Sequence, residues 1–72
     1  MKSIDLRGVK CPLNYVKAKL SLEELDPGQD LEILLDDGEP ILNVPRSIKD
    51  DGDKIIAVTR IDDHFKVVAR KI

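Results

Sequence analysis

Six short apolar segments, separated by turn residues, constrain the fold of this chain more than any other feature. Alternating apolar and polar residues predict strands, and apolar residues at helical spacing predict helices. The predicted strands are Lys2 to Leu6, Asp30 to Asp36, Lys54 to Ile61 and His64 to Ile72, and the predicted helices are Pro12 to Leu25 and Glu39 to Lys49. This βαβαββ order predicts an α/β (α+β) two-layer sandwich, with a four-stranded mixed sheet and two helices on one face.

The size and composition of the chain limit the functions that it can perform. We expect residues 1–72 to form a single domain, and a domain this small buries only about 60% of the surface exposed on unfolding, so a deep pocket is not expected. The net charge of −2 and the aromatic content of 3% give neither the basic surface nor the stacking platform of a nucleic-acid-binding protein. No apolar run reaches the ~18 residues of a membrane span. The sequence therefore favours protein partners, with no direct nucleic acid and no membrane.

Cys11 is the only cysteine of the chain, and it directly precedes Pro12, the first residue of the predicted helix one. Proline is favoured at that position because its missing N–H would have no partner there. Cys11 is then predicted at the N-cap, where unpaired N–H groups and the helix dipole favour an anion. Together with positive charge from Arg7 and Lys10, these groups are expected to lower the pKa of the thiol, and Gly8 allows a tight turn into the helix.

The rest of the sequence limits the chemistry that this thiol can perform. Internal disulfide exchange needs a second cysteine, a zinc site needs three or four ligands, and a cysteine hydrolase needs a base beside the thiol. His64, the only histidine, is expected in a solvated hairpin turn. The chemistry left for a lone thiolate is to accept a group and pass it on, and a persulfide suits it because no internal thiol can discharge the sulfur. We expect no metal and no cofactor.

Three other interpretations of the same residues stay open at this point. Cys11 could be a small buried apolar residue, as free cysteines often are. Leu13, Val16 and Leu20 form an apolar strip on helix one that either packs against helix two or lies exposed and docks a partner. In the second case the domain could act as a non-catalytic interaction or regulatory module. The thiol could also serve as a redox sensor capped by glutathione.

The segment from Ile4 to Pro12 resembles the signature of the TusA/SirA sulfur-carrier family, an Asp-x-Arg-Gly-apolar-x-Cys-Pro-x-Pro pattern. The segments Leu35-Asp36-Asp37 and Asn43-Val44-Pro45 also resemble that family. The resemblance implies a two-layer α/β sandwich whose cysteine, here Cys11, carries a persulfide. It implies a cysteine desulfurase or rhodanese-like sulfur donor, and a downstream acceptor protein in tRNA thiolation, cofactor synthesis or sulfur metabolism.

The match to the motif assigns further residues and leaves one departure. Arg7, Gly8 and Pro12 match motif positions and are expected to support the loop and the helix start. Asn14 replaces the second proline, and its backbone N–H is expected to face the Cys11 sulfur. The resemblance implies a sulfurtransferase-type carrier rather than a free-standing enzyme. We expect a monomer in the cytoplasm, because the first residues lack the apolar core of a signal peptide and a lone cysteine forms no internal disulfide.

Overall fold

The computed structural model of the protein describes residues 2–10 and 12–72. Its elements follow the predicted order: strand β1 (Lys2–Asp5), helix α1 (Leu13–Glu23), strand β2 (Asp30–Asp36), helix α2 (Glu39–Asp50), strand β3 (Lys54–Ile61) and strand β4 (His64–Arg70). Helix α1 begins one residue later and ends two residues earlier than predicted, while α2 extends one residue further. Neither helix within the described ranges is long and apolar enough to cross a membrane.

The four strands form one mixed sheet in the order β1-β2-β4-β3. Strand β1 runs parallel to β2, and α1 makes the connection that a parallel pair requires. Strands β3 and β4 form an antiparallel hairpin around Asp62 and Asp63, and β4 also pairs antiparallel with β2. Asp62 has a φ of 53°, in the left-handed region that tight hairpin turns need. The sheet therefore places the C-terminal ends of β1 and β2 side by side, so that the loop after β1 starts next to the end of β2.

A single apolar core lies between the sheet and the two helices. Strand β2 buries alternate residues, Leu31, Ile33 and Leu35, because successive side chains of a strand point to opposite faces. The remaining core residues come from both helices, from β4 and from the end of β1: Ala18, Leu22, Val44, Ile48, Val67, Ala69 and Leu6. Both helices thus cover the same face of the sheet, which confirms the predicted two-layer architecture.

Polar contacts join the C-terminal end of α2 to the middle of α1. The hydroxyl of Tyr15 donates a hydrogen bond to the carboxylate of Asp51. The ammonium of Lys19 lies 3.7 Å from Asp51 Oδ2 and 3.6 Å from Asp53 Oδ2. The hydrogen bond to Asp51 raises the pKa of Tyr15, because a phenolate there would face a carboxylate. These contacts hold the two helices together. They lie on a different side of α1 from Leu13, Val16 and Leu20, which are exposed.

Candidate functional site

The candidate site consists of the loop between β1 and α1 and of the first turn of α1. Cys11 lies outside the described residues, so its exposure and the acidity of its thiol stay predictions. The residues on either side, Lys10 and Pro12, are described, and both are exposed. The described part of the site consists of the residues that precede and follow position 11.

The loop before position 11 is fixed by backbone hydrogen bonds and by a buried side chain. Leu6 is buried in the core, and its N–H donates to the carbonyl of Leu34 at 2.9 Å. The N–H of Val9 donates to the carbonyl of Leu6 at 3.2 Å and closes a turn over the two residues between them. Gly8 lies in that turn with a φ of 78°, a conformation that side chains of other residues disfavour. Glycine at position 8 therefore allows the backbone to form this turn without steric strain.

Asp36, at the end of β2, holds this loop against the sheet. Its Oδ2 accepts a hydrogen bond from the backbone N–H of Gly8 at 2.6 Å. Contacts of a backbone N–H with a carboxylate are among the stronger hydrogen bonds in proteins. The sequence predicts Asp36 only as the end of a strand and as part of a segment that resembles the family, because nothing local shows that its carboxylate reaches a loop 28 positions away.

The positive charge of Arg7 is neutralised by a carboxylate of the same strand end. Its Nε and Nη2 donate to the two oxygens of Asp5 at 3.0 and 2.9 Å, and its backbone N–H donates to Asp5 Oδ1 at 3.0 Å. The Arg7 side chain and backbone together lower the pKa of Asp5 to about 2. Arg7 therefore braces the loop, whereas the Lys10 ammonium pairs with no described carboxylate.

The start of α1 differs from the prediction by one residue. Pro12 takes the N-cap position, with φ −90° and ψ 4°, and Leu13 is the first helical residue. The predicted N-cap position of Cys11 is therefore wrong, because the helix begins one residue later than the Pro12 signal indicates. The backbone N–H of Asn14 donates to the carbonyl of Lys10 at 3.1 Å, and that of Val16 donates to Pro12 at 3.1 Å. The backbone N–H of Asn14 is therefore already bonded to a carbonyl. The prediction that it faces the Cys11 sulfur depends on a residue outside the described ranges and stays a prediction.

The side chain of Asn14 is buried, contrary to its predicted place in a first helical turn that tolerates many residues. It is fully shielded from solvent, and its Oδ1 accepts a hydrogen bond from the backbone N–H of Tyr15 at 2.7 Å. Its Nδ2 is buried as well and has no acceptor among residues 2–10 and 12–72. The spacing of Asn14, Ala18 and Leu22, four residues apart on the core side of α1, is the signal that could have revealed this burial.

The apolar strip of α1 faces solvent. Leu13, Val16 and Leu20 are 52%, 43% and 56% exposed, so the interpretation in which they pack against α2 is wrong. Leu13 is two residues from Cys11 in the chain, and the strip extends from there along α1. The strip is thus available for contact with another molecule beside the candidate site.

An open cleft of about 450 Å³ separates the loop from the start of α2. Its lining combines Gly8, Val9 and Lys10 of the loop with Asp36, Asp37, Glu39 and Pro40. The lining therefore carries three carboxylates and one lysine. No group of three or more His, Cys, Asp or Glu side chains within the described part of the chain is placed to hold a metal ion.

His64 lies in the sheet beside Asp36. It is the first residue of β4 and pairs with Asp36 in the β2–β4 register. Its side chain is only 13% exposed, and its Nδ1 lies 3.1 Å from Asp63 Oδ1. The hydrogen bond to His64 lowers the pKa of Asp63. The predicted solvated turn position is therefore wrong: Asp62 and Asp63 form the turn, and the imidazole is largely shielded from solvent.

The fold and the site define a small two-layer α/β sandwich with a Cys-Pro loop between its first strand and its first helix. Residues 2–71 match the family described as "Sulfurtransferase TusA". The chain belongs to this family, which confirms the resemblance drawn from the Cys-Pro segment.

Two archaeal relatives, each named as a candidate sulfur carrier protein, agree with this assignment. The relative from Archaeoglobus fulgidus is 32% identical over 60 residues, which cover 83% of this chain and 68% of that protein. The relative from Methanocaldococcus jannaschii is 31% identical over 71 residues, which cover 99% of this chain and 95% of that protein.

Solved structures share the fold over nearly the whole chain. The crystal structure of a SirA-like protein from Desulfitobacterium hafniense superposes with a TM-score of 0.82 at 24% identity, covering 97% of this chain and 96% of that one. The solution structure of a Helicobacter pylori protein gives a TM-score of 0.77 at 25% identity, covering 99% and 97%.

Proposed function

We propose that this protein carries sulfur as a persulfide on Cys11. It accepts the sulfur from a cysteine desulfurase or rhodanese-like donor and passes it to an acceptor protein. The observation that carries this proposal is the position of the only cysteine, in the Cys-Pro motif of a chain that belongs to the TusA family. The exposed residues on both sides of Cys11 are consistent with access by a partner.

The proposed transfer needs one thiolate and no cofactor. The Cys11 thiolate attacks the outer sulfur of the donor's persulfide, so that a new sulfur–sulfur bond forms while the donor's bond breaks. The donor cysteine leaves as a thiolate, and the proton of the transferred sulfur exchanges with water. Attack by the acceptor's nucleophile on the same outer sulfur then releases Cys11 as a thiolate. No oxidant or reductant is consumed, because each step exchanges one sulfur–sulfur or sulfur–acceptor bond for another.

The residues around position 11 have supporting roles in this proposal. The turn at Gly8 and the ion pair of Arg7 with Asp5 fix the loop, and Pro12 directs the chain into α1. Lys10 supplies an uncompensated positive charge next to Cys11, which favours the thiolate and the persulfide anion. In this proposal the loop before Cys11 is held in place, Lys10 is the nearby cation, and the thiolate stays open to its partners.

Intact mass spectrometry tests the carrier function. The protein is incubated with a cysteine desulfurase and cysteine, and we expect the wild type to gain the mass of one sulfur atom. Cys11→Ser should gain none and should block transfer to the acceptor, because its hydroxyl cannot form the persulfide. Equal sulfur transfer by the wild type and by Cys11→Ser would contradict the proposal.

We further propose that the exposed strip of Leu13, Val16 and Leu20 docks the donor or the acceptor protein. Its support is exposure of three apolar side chains on one helix, next to the reactive position. Leu20→Asp should weaken binding of the desulfurase while leaving alkylation of Cys11 by iodoacetamide unchanged, and a pull-down measures the first effect. If Cys11→Ala keeps all cellular function and Leu20→Asp loses it, the domain is a non-catalytic interaction module instead.

A further inference from the structure

Strand β3 forms one edge of the sheet, and its outer backbone edge has no partner among the described residues. The sheet order β1-β2-β4-β3 pairs β3 with β4 alone. Apart from this ladder, no backbone–backbone hydrogen bond within residues 2–10 and 12–72 involves Lys54–Ile61. The strand is eight residues long, and it presents its outer N–H and C=O groups to solvent, where a further strand can add.

The middle of β3 is apolar and is left open by the helix layer. Val58 pairs with Val67 in the β3–β4 register, and cross-strand partners point to the same face of a sheet. Val67 is fully buried whereas Val58 is 50% exposed, so the helices that cover Val67 leave Val58 open. Ile56, at the irregular pairing between Ile55 and Ala57, is 40% exposed. The edge therefore offers apolar side chains as well as backbone groups.

Basic side chains stand on both sides of this apolar centre, and β3 contains no acidic residue. Lys54 is the first residue of the strand, and its ammonium pairs with no described carboxylate. The Cζ of Arg60 lies 5.2 Å from the centroid of the Phe65 ring, and its Nη1 lies 3.4 Å from Asp37 Oδ2. This ion pair is exposed and therefore weak, so Arg60 can still attract another carboxylate. The pattern of β3 is thus a cation, an apolar centre and a second cation.

We propose that the outer edge of β3 binds an extended segment of a partner protein that has an apolar centre and acidic residues towards both ends. The backbone of this segment continues the sheet, and its carboxylates lie opposite Lys54 and Arg60. A second copy of this chain fits the edge less well, because two antiparallel β3 strands bring Lys54 of each close to Arg60 of the other, and like charges across strands repel. The irregular pairing before Ala57 is also a device that hinders association between identical edges.

The proposed segment binds away from the carrier loop. Strands β3 and β1 are opposite edges of the sheet, and the loop that leads to position 11 follows β1. A partner bound at β3 therefore leaves this loop open, so that one protein can hold the carrier while another exchanges sulfur with it. The inference goes beyond the proposed carrier function, and it depends neither on the thiol nor on sulfur transfer.

An NMR titration tests the charge complementarity. The probe is a peptide that matches β3 in length, with glutamates near both ends and valine and threonine between them, and we expect it to shift the amide resonances of β3. A peptide with lysine in place of each glutamate should bind at least about threefold more weakly, because opposite charges across strands attract and like charges repel. Equal binding of the two peptides would overturn the proposal.

A charge reversal on the edge strand tests the same contact from the side of the protein. Lys54→Glu should weaken binding of the acidic peptide by about threefold or more, for the same reason. Lys17→Glu, the same charge change at an exposed lysine of α1, is the matched control and should leave the dissociation constant unchanged. Cys11→Ser should bind the peptide like the wild type, because the thiol takes no part. Equal effects of Lys54→Glu and Lys17→Glu would overturn the proposal.

Backbone methylation of the peptide tests strand addition without any change to the protein. The N–H groups of a strand point alternately to its two sides, so only every second N–H of the peptide can face β3. Two peptides, each N-methylated on one of the two alternating sets, should therefore differ: one binds like the parent peptide and the other does not. Equal behaviour of the two methylated peptides would overturn the proposal. Sedimentation equilibrium tests the other occupant, since a wild-type dimer that Val58→Lys dissociates would assign the edge to a second copy and overturn the proposal as well.

Discussion

Gly8 and Asp36 together determine the path of the chain into the candidate site. The glycine adopts a φ of 78°, and the carboxylate of Asp36 accepts its N–H at 2.6 Å. The same turn carries the ion pair between Arg7 and Asp5, which closes the loop on its other side. At this scale one conformation and a few hydrogen bonds fix the residues that precede Cys11.

The ion pair at the start of the loop makes stability depend on pH. Arg7 lowers the pKa of Asp5 from 3.8 to about 2 in the folded protein. A carboxylate whose pKa is lower when folded stabilises the protein above its unfolded pKa, and this contribution is lost as the pH falls towards the folded value. We expect the difference in unfolding free energy between the wild type and Asp5→Asn to shrink between about pH 4 and pH 2.

Urea denaturation at several pH values measures this difference. The lowered pKa values of Asp30 and Asp63 add a pH dependence of the same sign, and both variants share it, so the comparison isolates Asp5. Because the pair is exposed, the effect should be small. A constant difference across the window would show that Arg7 does not stabilise the Asp5 carboxylate.

Helix α1 has one side in the core and another in solvent, and the two sides have different tasks. Ala18 and Leu22 are fully buried against the sheet, while Leu20 is 56% exposed. Buried apolar residues of a helix contribute more to the free energy of unfolding than exposed ones, because only the buried ones leave a cavity when truncated. The exposed strip can thus contact a partner while the fold stays intact.

Two leucines of α1, two positions apart, test this division. Leu22→Ala should lower the free energy of unfolding by about 2–5 kcal/mol, since it opens a cavity in the core. Leu20→Ala should change it by no more than about 0.5 kcal/mol, as exposed substitutions usually do. Chemical denaturation followed by circular dichroism measures both. Similar losses in the two variants would mean that Leu20 is also packed.

The whole molecule is stabilised by one core, and the sheet layer and helix layer share it. Ile33 lies on β2, which pairs with both β1 and β4, and its side chain is fully buried between the layers. A domain of this size buries little surface, so each core residue contributes a large share of the total. Loss of packing at Ile33 should therefore destabilise the helices and the strands together.

Graded truncation of Ile33 tests this shared core. Ile33→Val should lower the free energy of unfolding by about 0.5–1.5 kcal/mol and Ile33→Ala by about 2–5 kcal/mol. Fluorescence of Tyr15, on α1, and circular dichroism should report the same transition midpoint, because both layers unfold together. Separate midpoints for the two probes would show that the helices and the sheet do not share a core.

Local sequence patterns determined the elements and their order in this protein. The alternation in β2 and the Gly, Pro and Asp turns act over a few residues, so the order βαβαββ and the two-layer fold could be predicted from them. The motif around Cys11 is also local, and it sufficed to indicate the family. Helix ends were shifted by one or two residues, as local signals rarely fix them better.

Only the tertiary structure decided which side chains face one another. The hydrogen bond between Asp36 and Gly8 joins residues that are distant in the chain. The shielding of His64 and of Asn14 from solvent depends on the elements that pack over them. The exposure of Leu13, Val16 and Leu20 also depends on the tertiary structure. A helix with two apolar sides does not show in its sequence pattern which side will pack against the sheet. Patterns along a chain specify its local geometry, whereas burial depends on the relative placement of distant segments.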